Sequence, residues 1–256
     1  MSTSSHSLRS DHPDTPRLTV ELAGGEEDLR KAMNLRYRVF GQEMGARLGS
    51  EIAQIDRDRF DEYCHHMLVK DTASGEVVGY SRILTDEGAA AAGEYYSQTE
   101  FDLSEVLETG LRYMEIGRTC VDPHYRGGAV MALLWSGLAR FMDTRNIDVL
   151  MGCASISLSD GGYAASAAMA YLRESHMSPP GQRAYPRLSL PRCDSDLIGK
   201  EQVPPLLQAY LRAGAVVCSE PYWDRAFDVA DVFILLKRNK INRRYMRHFL
   251  SDGRPA

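Results

Sequence analysis

The segment Tyr113–Trp135, YMEIGRTCVDPHYRGGAVMALLW, most constrains what this chain can fold into. Its first part alternates as a strand does, and its last part is apolar at helical spacing. A glycine-rich turn joins the two. The strand carries Glu115 and Arg118 where such a pattern wants apolar residues. Three apart on a regular strand, these side chains are expected on opposite faces. One face of such a sheet is usually the core, and a charge there must be paired or functional. An internal salt bridge to Asp58, Asp61, Arg36 or Arg82 fits the residues as well as a functional role does. The turn, Arg126-Gly127-Gly128-Ala129, presents backbone N–H groups at a helix start, where a phosphate can approach. It has neither the GK[ST] of a P-loop nor GxGxxG spacing, and a tight turn before a core helix is the plainer reading.

Around this segment the chain alternates between the two periods. RLTVELA (17–23) reads as a first strand. EEDLRKAMNLRYRVFGQEMG (26–45) reads as an amphipathic helix with Leu29, Met33, Tyr37 and Phe40 on one side. After an acidic loop (51–66) come two hairpin strands, HMLVKD and EVVGYSRIL, split by TASG. EGAAAAGEYYSQ reads as a low-complexity connection and EFDLSEVLE as a short helix. IDVLMGCAS (147–155) is a nearly all-apolar run, hence a buried strand. AASAAMAYLRES reads as a helix, and Met177 to Val203 as an irregular loop with several prolines. PPLLQAYLRAG has Pro at its helical start and Gly214 at its end. AVVCSE and VADVFILLK read as closing strands. The expected fold class is α/β, a mixed central sheet covered by helices.

Three regions are expected. Residues 1–16 form a disordered tail, 17–236 a single domain, and 237–256 a basic tail. In that tail Ile241, Tyr245, Phe249 and Leu250 interleave with Lys and Arg. It reads as a solvated terminal helix or as a peripheral contact with anionic lipid or an acidic protein. The net charge of −5 lacks the basic excess of a nucleic-acid binder. Five scattered cysteines without a CxxC fit a reducing cytoplasm. Neither a signal-like apolar stretch nor a bilayer-length run is present. Cys64-His65-His66 on a strand would point to alternating faces, so no metal site is expected. Cys153, in an apolar strand without a histidine evidently placed to activate it, reads as inert.

Taken in order, six segments resemble the Gcn5-related N-acyltransferase fold. They are LRYRVFGQEMGA (35–46), DRDRFDEYCHHMLVKD (56–71), VVGYSRIL (77–84), the Tyr113–Trp135 segment, LMGCAS (150–155) and PPLLQAYLRAGA (204–215). Within that fold the chain looks like the ornithine-lipid N-acyltransferases, relatives of the acyl-homoserine lactone synthases. The resemblance implies a (3-hydroxy) fatty acyl group passed from acyl carrier protein to the amine of an amino acid, by default ornithine. It implies that Arg36, Phe40, Asp58, Asp61, Arg82, Glu115 and Arg118 surround the transfer site. Glu115 is then the expected base toward the amine, directly or through a water. Arg36, Arg82 and Arg118 would orient Glu115 and the loop acids, or bind an acceptor carboxylate. Asp58 and Asp61 would hold the loop closed or bind an acceptor's second ammonium.

Val121, Arg126, Gly127, Gly128 and Ala129 would receive the phosphopantetheine arm of the carrier, with no permanently bound cofactor. Phe40, Cys153, Ala154 and Ser155 would line the acyl or substrate pocket. The late segments depart from the family pattern. Gln208 stands where the ornithine enzymes carry lysine, Cys218-Ser219-Glu220-Pro221 replaces a glycine turn, and FDVADV (227–232) replaces FNTTDV. The same chemistry on another amine therefore stays open, as does a non-catalytic module that binds acyl carrier protein or lipid. A plain acetyl-coenzyme A enzyme is disfavoured, because RGGA lacks the fuller pyrophosphate loop of that group.

Overall fold

The computed structural model describes residues 18–48, 53–108, 110–191, 199–242 and 244. The expected disordered tail and nearly all of the basic tail beyond Asn242 lie outside these residues. The strands are β1 (Leu18–Leu22), β2 (His65–Asp71), β3 (Glu76–Thr85), β4 (Phe101–Asp102), β5 (Tyr113–Val121), β6 (Val149–Ser157), β7 (Tyr185–Pro186), β8 (Val216–Val217), β9 (Tyr222–Asp224) and β10 (Val229–Lys237). The helices are α1 (Glu26–Arg36), α2 (Asp86–Ala92), α3 (Ala129–Arg145), α4 (Tyr163–Ser175) and α5 (Pro205–Ala213). Eight strands make one mixed sheet in the order β1-β2-β3-β5-β6-β10-β8, with β9 also on β10. Strands β4 and β7 pair separately.

Alternation decides which side each strand buries. On β10, Val232, Ile234 and Leu236 join the core beneath α3, α4 and α5. Phe233 and Leu235 join a second core with Phe60, Phe101 and Tyr113. On β2, Leu68 turns away from Met67 and Val69 and packs with Leu35 of α1 and Tyr80. The sheet is therefore covered on both faces, as its apolar strands require.

Four local expectations are corrected. The helix expected over 26–45 is α-helical only to Arg36 and widens into π-helix over Tyr37–Glu43. EFDLSEVLE is not a helix: Phe101 and Leu103 bury together from a short strand, and the Asp102 carboxylate accepts the Ser104 N–H at 2.9 Å, turning the chain. The low-complexity connection contains α2, which Thr85 caps by accepting the Gly88 N–H at 3.3 Å. The last correction is β9, too short to show a period.

Two irregularities shape the centre of the sheet. Between β3 and β5, Tyr80 faces Cys120 and Arg82 faces Gly117, so Ser81 opposes both Arg118 and Thr119. This is a β-bulge, and Arg118 takes φ 52° within it. The extra residue returns Arg118 to the side of Glu115, which corrects the expectation of opposite faces. Strands β5 and β6 then pair in parallel only from Tyr113–Glu115 against Val149–Met151. Just beyond, Gly152 takes φ 159°, and a Cβ there would lie 2.3 Å from the Ile116 carbonyl oxygen. Only glycine permits that approach, and past it the two strands are no longer paired.

Candidate active site

Three arginines and three aspartates meet beside the bulge. Arg36, fully buried, donates to Asp56 at 2.8 Å and to Asp61 at 2.7 Å. Arg82 pairs with Asp58 at 2.6 Å and Asp61 at 3.0 Å. Arg118 pairs with Asp56 and Asp58, each at 3.3 Å. The charges balance, which is the condition for burying them. Burial opposes ionisation of Asp61, but Arg36 and Arg82 outweigh it and hold the carboxyl well below the usual range. The sequence marks five of the six; Asp56 is missed because it opens a run of four successive charged residues, Asp56 to Arg59. The Arg118 guanidinium lies over the rings of Tyr96 and Phe227, 5.1 Å and 4.8 Å from their centroids.

Glu115 takes its partners from elsewhere. Among the described residues no ion pair joins it to an arginine, so the expected arginine orientation of this carboxylate is corrected. Its Oε2 accepts the Tyr96 N–H at 2.7 Å, and its Oε1 accepts the Ser97 N–H at 2.7 Å and the Ser97 hydroxyl. These donors belong to a turn (Tyr96–Thr99) that the sequence does not flag. Burial raises the Glu115 pKa above the usual carboxylate value, while the Ser97 and Tyr96 donors hold it back.

A cavity of about 760 Å³ runs through the parting of β5 and β6. At one end stand Val121, Arg126 and Gly128, with Gly128 in the left-handed region at the start of α3. Arg126 there forms a bidentate pair with Glu43, at 2.6 and 2.7 Å. Phe40, Arg82, Glu115, Arg118, Cys153, Ala154 and Ser155 also line the cavity. Arg36, Asp58, Asp61, Gly127 and Ala129 do not, so Arg36 and the loop acids support the wall from behind. The Cys153 thiol is pushed well up by burial and by Glu100, Asp231 and Glu115 around it, which opposes thiolate chemistry. His66 bonds Tyr80 at 2.7 Å and the Asp61 carbonyl at 3.0 Å, while His65 packs against the Phe141 ring. The two imidazoles thus serve different surroundings.

The sequence also misses an acidic group. Glu100, Asp224 and Asp231 each bring one oxygen within 4.8 Å of the others, a spacing able to hold a cation. Asp224 and Asp231 line the cavity. Short spacing links none of them, so only the fold gathers them.

Comparison with known proteins places the chain in a family. The chain is 35% identical to an L-ornithine N(alpha)-acyltransferase of Brucella abortus (strain 2308), over 92% of this chain and 90% of that one. It is 32% identical to an L-ornithine N(alpha)-acyltransferase of Rhodobacter capsulatus, over 90% and 93%. The chain belongs to this family of N-acyltransferases. Residues 35–136 match an acetyltransferase (GNAT) domain. The acyl-homoserine lactone synthase LasI has a similar fold, with a TM-score of 0.55 at 14% identity over 91% of this chain and 96% of that one. So does BjaI, a CoA-dependent acyl-homoserine lactone synthase, with a TM-score of 0.58 at 15% identity over 94% and 92%. The expected fold and enzyme class are both borne out.

Past Glu115 and Met151 the parted strands β5 and β6 no longer hydrogen-bond to each other, which leaves backbone N–H and C=O groups facing the gap. The buried carboxylate of Glu115 lies in the same cavity as the unpaired strand edges.

Proposed function

We propose that this acyltransferase moves a fatty acyl chain from the phosphopantetheine arm of acyl carrier protein to the α-amine of L-ornithine. The observation that carries the reading is the single cavity that joins the glycine turn at the start of α3 to Glu115 through the gap between β5 and β6. The names of the relatives support the acceptor and the nitrogen acylated. The first turn of α3 would take the arm's phosphate, with Val121, Arg126, Gly127, Gly128 and Ala129 around it. The arm would extend along the unpaired edges, and a backbone N–H there would receive the oxyanion.

The amine nitrogen attacks the thioester carbonyl, a C–N bond forms, and the C–S bond breaks. The amine's proton passes to Glu115, directly or through a water, and from there to the departing sulfur, so the carrier leaves as its thiol and the carboxylate is restored. Three donors occupy Glu115, yet Oε2 accepts only one and keeps a lone pair for that proton. Its raised pKa makes it a better base than an exposed carboxylate. Arg118, on the cavity wall between two rings, is placed to bind the acceptor's carboxylate. The protein works in the cytoplasm, with peripheral membrane contact through the basic tail; among the described residues no helix is long and apolar enough to cross a membrane.

The test offers purified protein a 3-hydroxyacyl carrier protein with ornithine, lysine, diaminobutyrate, glycine, tyrosine and a polyamine in one pool. Mass spectrometry is expected to find N-acylornithine as the dominant product. A dominant product with another amine would move the enzyme to a different acceptor, and no product with any amine would overturn the acyl-transfer reading for this cavity.

A further inference from the structure

Building on that reading, we propose that Glu100, Asp224 and Asp231 form the pocket for the second ammonium of a diamino-acid acceptor, and so set the enzyme's preference for diamino over monoamino acids. Three observations carry this beyond a mere cluster of acids.

The first is an unmet bond. Glu100 is only 3% exposed, and its Oε2 has no hydrogen-bond partner. A buried carboxylate oxygen left bare is costly. Glu100 does not itself line the cavity, but it brings one oxygen within 4.8 Å of Asp224 and Asp231, which do, so a donor entering beside them can reach it. The neighbouring acids are already braced. Asp224 Oδ1 accepts the N–H groups of Ala226 at 2.8 Å and Phe227 at 3.2 Å. Asp231 Oδ1 accepts the Ser155 hydroxyl at 2.6 Å.

The second is a missing charge. Asp56, Asp58 and Asp61 each pair with an arginine, but among the described residues no ion pair includes Glu100, Asp224 or Asp231. Burial and then the Asp231 charge push Glu100 up to about 8, against weaker help from Cys153 and Tyr96. Burial pushes Asp231 up to about 6, with Asp224 adding to it and Ser155 and Arg118 opposing. Tyr222 also faces the group. A cation set among them would return both acids to the ionised form.

The third is shape. An ammonium carries three N–H donors. Three acceptors at about 2.8 Å from one nitrogen, spread tetrahedrally, stand about 4.6 Å apart. The oxygens here lie within 4.8 Å of one another, a bound that includes this spacing. Tyr96 and Phe227 on the same wall offer apolar surface to the methylenes between the two amines. Arg118, on the same cavity wall, remains for the carboxylate.

The test compares acceptors that differ only in the terminal amine: ornithine with 2-aminopentanoate, and lysine with 2-aminohexanoate. In the wild type the kcat/KM ratio for each pair is expected to favour the diamine at least about a hundredfold, and to rise as the pH passes through about 8. Both members react through an α-amine; the diamine's titrates somewhat lower, which by itself would make the ratio fall as pH rises, so a rise isolates the pocket. Glu100→Gln and Asp231→Asn should each cut the ratio at least tenfold, and the less buried Asp224→Asn serves if either fails to fold. An even ratio in the wild type, or a ratio unmoved by the variants, would overturn the pocket while leaving acyl transfer intact. A preference abolished by a chelator and restored by a divalent ion would reassign the acids to a metal and overturn it too. If no amine is acylated at all, calorimetry at pH 8.5 decides: ornithine binding without 2-aminopentanoate binding, lost in Glu100→Gln, upholds the pocket, and equal or absent binding of both overturns it.

Discussion

Removing a single charge from the Arg36–Asp61–Arg82 group leaves its partners buried and unpaired. Asp61→Ala is therefore expected to destabilise the fold by about 3–5 kcal/mol, read from urea unfolding. Loss of less than about 1 kcal/mol would mean that water reaches the arginines. Glu115→Ala is expected to lower kcat about a hundred- to ten-thousandfold in a folded protein, the usual loss of a positioned base. Near wild-type turnover would assign proton transfer to another group. At this scale the sequence is legible where charge interrupts an apolar period, as at Glu115 and Arg118; Arg36, Arg82, Asp58 and Asp61 are marked by the family resemblance instead. Glu100 and Asp231 did not stand out from their segments' patterns. Their significance lies in a proximity created by three separate elements, β10, β9 and the turn before β4.

Two backbone irregularities, rather than any helix, position the chemistry. The bulge at Arg118 brings its side chain to the Glu115 side, and Gly152 lets β6 touch β5 immediately before they part. Gly152→Ala must displace the Ile116 carbonyl, because the added carbon would meet it at 2.3 Å. The expected result is a loss of about 1–3 kcal/mol of stability together with a raised KM for the carrier thioester, measured side by side. A change in stability alone would separate the parting of the strands from donor binding. Most strands and helices here follow from their periods, since each has one apolar side to bury. The bulge does not, because its positive φ falls on an arginine rather than a glycine. Helix α2 hides in an alanine-rich stretch, and β9 is three residues long.

The order of segments along the whole chain made the family recognisable before any coordinate, although no one segment sufficed. The proposed donor end was legible in the glycine turn; the proposed acceptor end was not, because Glu100, Asp224 and Asp231 come from separate parts of the chain. Docking of an acidic carrier belongs to this scale. Arg126 lines the cavity and is held by Glu43, so on the proposed reading a carrier's phosphate would compete with that carboxylate. Glu43→Gln is expected to lower the KM for acyl carrier protein severalfold, and rising salt to lower kcat/KM for the wild type. A rate independent of salt would exclude electrostatic docking.

The most direct test of the account is the stoichiometry and position of acylation in one reaction with acyl carrier protein and ornithine. Carrier thiol released and N-acylornithine formed would be counted together, and fragmentation would locate the amide. The account predicts one amide per thiol, on the α-nitrogen. Thiol release without amide, or an amide on the side-chain nitrogen, would contradict it.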